Sequence, residues 1–225
     1  FYDLYNKEES KLYSQENQDY IIYNTFFKNK KDGVFCDVGG NDPLNLNNTR
    51  YFEEIGWKGF VFEPLPQMKI LWEKYRKAKY FPFGASDVEG ETIFSIVKQA
   101  DGFNETVNML SFVKDTRNSP EDYITEDIKV QIRTIENVFK ENSIKHIDYM
   151  SIDVEGHELN VIKGIDFDNV RINVLSIENC SLPNSVYGDD SIREIMLKNN
   201  YSLWGRIIGL DDIYVYNTFL EESII

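Results

Sequence analysis

Positive charge is scarce in this chain. Its 225 residues carry 24 Lys and Arg against 38 Asp and Glu, a formal net charge of −14. A nucleic-acid binder shows a basic stripe. The nearest basic runs here, Lys28–Lys31 and Lys74–Lys79, are short and read as solvated helix or turn faces. No nucleic-acid partner is expected, and an acidic surface suits a neutral or cationic acceptor, or solubility alone. No apolar run reaches membrane-spanning length. No signal pattern is visible either, so the expected location is cytoplasmic. The chain opens on Phe1 rather than Met, which fits a domain cut from a longer protein. Cysteine is scarce too. Cys36 and Cys180 lie in apolar, strand-like runs and read as small core residues of a reducing compartment, a mutual disulfide being the alternative. Internal repeats and low-complexity tracts are absent.

What is present suits one domain with one substantial core, 42% hydrophobic with 15 Phe and 14 Tyr. Residues 1–32 read as a helical lead-in that Gly33 breaks. Strands are expected at 34–38, 60–63, 80–83, 92–97, 128–133, 147–153, 170–178, 202–208 and 212–216. Helical segments separate most of them, at 48–55, 66–78, 134–142, 155–165 and 189–200. Residues 98–127 are polar and aperiodic, and an irregular stretch of that length is commonly functional. It is expected to shape an acceptor site. Alternation of strands and helices implies a mainly parallel sheet with helices on both faces. The two adjacent strands at the end add an antiparallel one. The expected fold is Rossmann-like, with seven strands and the last reversed.

Four acids, Asp37, Glu63, Asp153 and Glu178, each end a strand on the edge where ligands of such sheets bind. Asp37 runs into the turn Gly39-Gly40-Asn41, and Glu63 ends the next strand before Pro64. That is a βαβ unit suited to an adenosine-containing cofactor, with Glu63 accepting both ribose hydroxyls. The turn lacks the third glycine a dinucleotide pyrophosphate needs; Pro43 and Leu44 stand there instead. This disfavours NAD and favours a phosphate-free adenosyl sulfonium. Gly39 and Gly40 would admit its amino-acid part, and Asp37 would hold the ammonium directly or through water. Two glycines could equally serve a tight turn alone. Ser86 and Asp87 read either as a contact to the adenine edge or as a type I turn.

The run Ser151–Glu158 holds three carboxylates and one of only two histidines. His157, placed in the first turn of a helix, would be kept neutral there and suits a general base. Asp153 is the second candidate base; it could also hold the cofactor's methionine end or cap the helix. No metal is expected, the alternative set being Asp153, Glu155 and His157. His146 reads as a surface residue.

Taken in order, these pieces resemble the FkbM family of S-adenosylmethionine-dependent O-methyltransferases. The carrying segments are Tyr13–Asp19, Asp37–Thr49, Gly56–Pro64, Gly84–Asp87, Asp148–Gly164 and Val174–Asn179. Gly40 and Pro43 depart from the family's usual alanine and frequent glycine. The resemblance implies a class I methyltransferase fold, S-adenosyl-L-methionine as cofactor, and methyl transfer to a hydroxyl of a sugar, glycan or polyketide-type acceptor. It assigns Gln18, Asn41, Asn48 and Thr49 to the cofactor site beside Asp37, Gly39, Gly40, Glu63, Ser86, Asp87 and Asp153. It also suggests that Gln15, Gln18 and Asp19 fold over that pocket. Two other readings stay open: a nicotinamide-dependent sugar oxidoreductase, and a non-catalytic cofactor-binding module of a glycan-modifying protein. The acceptor's identity and the oligomeric state are not encoded legibly.

Overall fold

Runs that are apolar without alternation become the centre of one sheet, because strands covered on both faces need no polar side. A computed structural model describes residues 12–100, 107–114, 123–179, 190–207 and 211–223, so Cys180 lies outside the described residues. In chain order the elements begin α1 (Gln18–Phe26), β1 (Val34–Val38), α2 (Arg50–Glu54), β2 (Lys58–Phe62), α3 (Pro66–Tyr75) and β3 (Lys79–Phe81). Then come β4 (Gly84–Ala85), β5 (Gly90–Gln99), a 3-10 turn (Val107–Leu110), β6 (Phe112–Val113) and β7 (Ile124–Arg133). The chain continues with α4 (Ile135–Glu141), β8 (His146–Ile152), α5 (Glu158–Lys163) and β9 (Arg171–Glu178). It closes with α6 (Asp190–Lys198), β10 (Tyr201–Arg206), β11 (Asp211–Tyr216) and α7 (Asn217–Ser223).

The main sheet has the order β10-β11-β9-β8-β1-β2-β3. β1 lies parallel to β2 and β8, β8 to β9, and β2 to β3. β11, the last strand in sequence, runs against both β9 and β10. The fold is therefore α/β with a mostly parallel sheet, as the alternation of elements predicts. On one face Val38, Phe62, Met150 and Ile152 pack against Ile135, Phe139, Val161 and Ile162 of α4 and α5. On the other, Phe35, Tyr149 and Val174 pack against Ile22, Phe27, Phe52 and Trp57. Each such buried side chain contributes roughly 1.5–3 kcal/mol.

A second sheet departs from the expectation of one. β5 and β7 do not join the main sheet; they pair antiparallel, with β6 and the short β4, in the order β4-β7-β5-β6. Their pattern shows why. β7 alternates exposed and buried residues over its second half, the mark of an antiparallel sheet with one wetted face. The inner face of this second sheet, Phe94, Ile96 and Val130, packs on Val61 of β2, on Leu65 before α3, and on Met68 and Trp72 of α3. The stretch 98–127 is correspondingly less irregular than its composition suggests: β5 runs to Gln99, β7 starts at Ile124, and a 3-10 turn and β6 lie between. Residues 101–106 and 115–122 lie outside the described residues. The closing helix α7 is also absent from the sequence reading; its Phe219 and Leu220 pack on the second face. Among the described residues, no helix is long and apolar enough to cross a membrane.

Candidate active site

The site is built where the parallel ladder runs out. Gly39 and Gly40 donate their N–H groups to Phe62 O at 2.9 and 3.4 Å, and Asp153 N donates to Val38 O at 3.0 Å. The tips of β1, β2 and β8 are thus tied together one residue past the strands. Gly39 has φ +85°, and a Cβ there would lie 1.8 Å from Asp153 O. At Gly40 a Cβ would lie 2.4 Å from Val61 Cγ2 and 2.8 Å from Trp72 Cζ2. The glycines are required by close approach as well as by the turn.

A cavity of about 200 Å³ opens above this turn. Of the residues chosen from sequence, Asp37, Gly39, Gly40, Asn41, Asn48, Glu63, Asp153, Glu155 and His157 line it. Its opposite wall is apolar and comes from the second sheet: Phe94, Val113, Val130 and Ile132. Thr49, Ser86, Asp87 and Gln18 lie outside the lining. Thr49 is buried beneath it and donates Oγ1 to Asp37 Oδ2 at 2.7 Å. Gln18 is buried and donates Nε2 to Asp211 Oδ2 at 3.3 Å. Asp19 accepts from Tyr13 N and Ser14 Oγ, which pins the segment before α1, while Tyr13 O accepts from Asn47 N. Gln15 is exposed. Asn48 reaches across to Ser151 Oγ at 3.0 Å.

Glu63 is 3% exposed. Its Oε1 accepts from Leu65 N at 2.7 Å and its Oε2 from Asn41 N at 2.8 Å. Desolvation outweighs both donors, with the Asp37 charge adding to it, and raises the carboxyl from 4.5 to about 7. The folded protein therefore holds this proton more tightly than the unfolded chain. The associated stability is complete below pH about 4.5 and is lost as pH rises through about 7. Asp211, raised to about 6 chiefly by burial, acts in the same direction. Calorimetric melting of the ligand-free protein should show Tm falling between pH 5 and 8, and Glu63→Gln should flatten part of that slope. An unchanged slope in the variant would contradict the assignment.

Asp153 follows β8 and is exposed to the cavity, yet protein surrounds it. Desolvation, then the charges of Glu155, Asp211 and Glu158, hold it well above the usual carboxylate range. The helix after it starts later than expected. Glu155 at φ +56° and Gly156 at φ +98° turn the chain first, so His157 is the N-cap of α5 rather than a residue of its first turn. Asp153 is not the cap. His157 is 6% exposed, its Nε2 lies 3.0 Å from Ser86 Oγ, and its Nδ1 is buried without a partner among the described residues. Desolvation, opposed by Asp87, lowers its pKa and keeps the ring neutral. The alternative metal set also fails to assemble as expected. Among the described residues, ligand atoms of Asp153, Glu158 and Glu178 converge within 4.8 Å, while His157 points to Ser86.

Several residues escaped the sequence reading. Asp211 joins Glu155 and Glu158 in crowding Asp153, and nothing in its local pattern says so. Asn47 donates to Asp37 Oδ2, Gly40 O and Asp42 O, and its place in the Asn-rich loop was the available signal. Arg76 belongs to the basic run taken for a solvated face, but it is buried. His146, by contrast, is largely exposed at the start of β8 and lies 3.1 Å from Asp148.

A family model described as the methyltransferase FkbM domain matches residues 37–203, from the end of β1 to β10. No curated protein matches the chain in sequence. Among solved structures, precorrin-6y C5,15-methyltransferase from Geobacter metallireducens aligns with 95% of this chain and 92% of its own, at 10% identity and a TM-score of 0.43. A likeness at that level carries nothing about chemistry.

Proposed function

Because the chain belongs to the FkbM methyltransferase family, we propose that it is an S-adenosylmethionine-dependent O-methyltransferase acting on a hydroxyl of a sugar or glycan. The observation that carries this reading is the convergence of Glu63, the glycine turn and Asp153 on one cavity. The donor set fits the cofactor. Glu63 offers a carboxyl to a ribose diol. The turn has no Cβ to keep a ligand off the backbone at Gly39 and Gly40. Asp37 has both of its described hydrogen bonds on Oδ2, so Oδ1 is left for an ammonium group. The apolar wall of Phe94, Val130 and Ile132 offers a face to a flat base. When bound, S-adenosylmethionine supplies an already activated methyl group on a sulfonium.

What remains for the protein is to position the acceptor hydroxyl and take its proton. Asp153 is the group for this. Its carboxyl opens on the cavity, where burial and the neighbouring carboxylates make it a better proton acceptor than an ordinary aspartate. A cationic ligand beside it favours the ionised, proton-accepting form. His157 was the first choice from sequence, but its Nε2 is engaged by Ser86 and its Nδ1 is sealed from solvent. We therefore assign it to orienting the Ser86–Asp87 turn, and reverse the order.

The test is release of S-adenosylhomocysteine with a panel of free sugars and glycans as acceptors. Asp153→Asn should lower turnover at least about 100-fold, a usual scale for general-base loss, with affinity for S-adenosylhomocysteine, which lacks the sulfonium charge, nearly unchanged. His157→Ala should cost about tenfold or less. A larger loss in His157→Ala than in Asp153→Asn would restore the histidine as base.

A further inference from the structure

Arg76 follows α3, far in sequence from the turn it serves. Its guanidinium is buried, with a side chain 3% exposed, and is stacked 4.5 Å from the Trp72 ring centroid. Nε donates to Glu53 Oε2 at 2.6 Å. Nη1 donates to Pro43 O and to Asn47 Oδ1, each at 3.0 Å, and Nη2 to Thr49 Oγ1 at 3.2 Å. Glu53 is fixed in turn: its Oε1 accepts from Lys77 N and Ala78 N, each at 2.8 Å. One fork therefore ties α2 and the end of α3 to three points of the loop between Pro43 and Thr49.

The next links lead to the cavity. Asn47 and Thr49, having accepted from Arg76, both donate to Asp37 Oδ2, at 3.2 and 2.7 Å. Asn47 also donates to Gly40 O at 3.1 Å. Trp72, under the guanidinium, donates Nε1 to Asn41 O at 2.8 Å. The 43–49 loop, Gly40 O and Asp37 thus hang on one buried cation that does not itself line the cavity.

We propose that Arg76 is a positioning residue for the cofactor's amino-acid end: anchored on Glu53, it sets the 43–49 loop so that Asp37 presents its free oxygen to the ligand. The inference rests on the cofactor reading above. A planar fork is what the geometry needs, since a lysine ammonium could keep Glu53 but could not span Pro43, Asn47 and Thr49 together. The effect is local. Asp37 and the loop that Arg76 bonds directly serve the amino-acid part of the ligand, while Glu63, which serves the ribose, takes its donors from Leu65 N and from Asn41 N, a residue held by Trp72 and not bonded to Arg76.

The experiment compares two ligands by calorimetric titration. S-Adenosylhomocysteine carries the amino-acid part; 5′-methylthioadenosine has the same nucleoside without it. In Arg76→Lys, affinity for the first should fall on the order of tenfold, the loss of about one charge-assisted bond. Affinity for the second should stay within about twofold, the ordinary scatter of a silent change. Thr49→Val, a change close to isosteric, should give the same selective loss, smaller than additive when combined with Arg76→Lys because both act on one network. A structural role would weaken both ligands equally, or lower Tm with neither affinity changed. Either result overturns the proposal. Failure of the unaltered protein to bind either ligand overturns the cofactor reading itself.

Discussion

Glu63→Ala should weaken S-adenosylhomocysteine binding by roughly 100-fold or more. Two ribose hydroxyls donating to one buried carboxylate make two charge-assisted hydrogen bonds, each contributing roughly 1.5–3 kcal/mol, and each 1.4 kcal/mol is a factor of ten. The carboxyl is poised for this. It is 3% exposed, faces the cavity, and is held in place by backbone donors on both oxygens. Its elevated pKa adds a signature. Hydroxyl donors favour the ionised form, so affinity should rise as pH increases through about 7, the value burial imposes on the free protein. In Glu63→Ala that pH dependence should vanish together with the affinity. A variant that still binds at micromolar concentration with the original pH profile would remove Glu63 from the ribose site. Stability should move differently. The variant leaves Leu65 N and Asn41 N without their acceptors, but also removes a carboxyl that is costly to ionise where it sits. The loss in Tm should therefore be larger at pH 5 than at pH 8.

The parts of this site that could be read from sequence were those whose residue types are forced by local geometry. A carboxylate closing an apolar strand, as at Asp37 and Glu63, is expensive unless it does something there. A glycine pair after such a strand marks a backbone with no room for a side chain. Both features are one-dimensional, and both led to residues that meet in the cavity. Arg76 shows the opposite case. In sequence it is one cation among Lys74, Lys77 and Lys79, all of which are exposed or half-buried. Only folding places Glu53 and three acceptors around it, and no periodicity encodes a meeting of α2, α3 and the 43–49 loop. Asp211 was hidden in the same way: it approaches Asp153 because β11 inserts in reverse beside β9.

The second sheet was misread for a related reason. Alternation at 128–133 was visible, but alternation fixes a half-exposed face and not the sheet to which a strand belongs. The consequence is functional, since Phe94, Val113, Val130 and Ile132 close the cavity opposite the carboxylates. A purely single-sheet molecule would leave that side of the site open. His157 carries a similar lesson. Its place four residues after Asp153 makes it the first candidate base from sequence, but two residues in the left-handed region redirect the chain between them and send the ring to Ser86.

Replacing Gly39 by Ala should have the largest effect on folding. Two costs coincide at this residue. Its φ of +85° is one that L side chains rarely adopt, and its added Cβ would lie 1.8 Å from Asp153 O. The obstructing atom is backbone, in the residue whose N–H is hydrogen-bonded to Val38 O. Relief requires β1 and β8 to separate at their tips, which would break that bond. Overpacking of this kind costs about 1–3 kcal/mol and the backbone conformation about 1 kcal/mol or more. For a chain of this length the sum is a fall in Tm of roughly 10 °C. Two other glycines separate the terms. Gly90 has φ +147° with nothing within 4 Å of its Cβ position, so Gly90→Ala carries only conformational strain. Gly205 likewise has open space and no positive φ, so Gly205→Ala should leave Tm within about 1–2 °C, the range of a surface change. Thermal melts of the three variants should rank Gly39→Ala far below Gly90→Ala, and Gly90→Ala below Gly205→Ala. Equal Tm for Gly39→Ala and Gly90→Ala would mean the strand tips yield at no cost. In that case the site would not be held by the close approach of the glycine turn to Asp153.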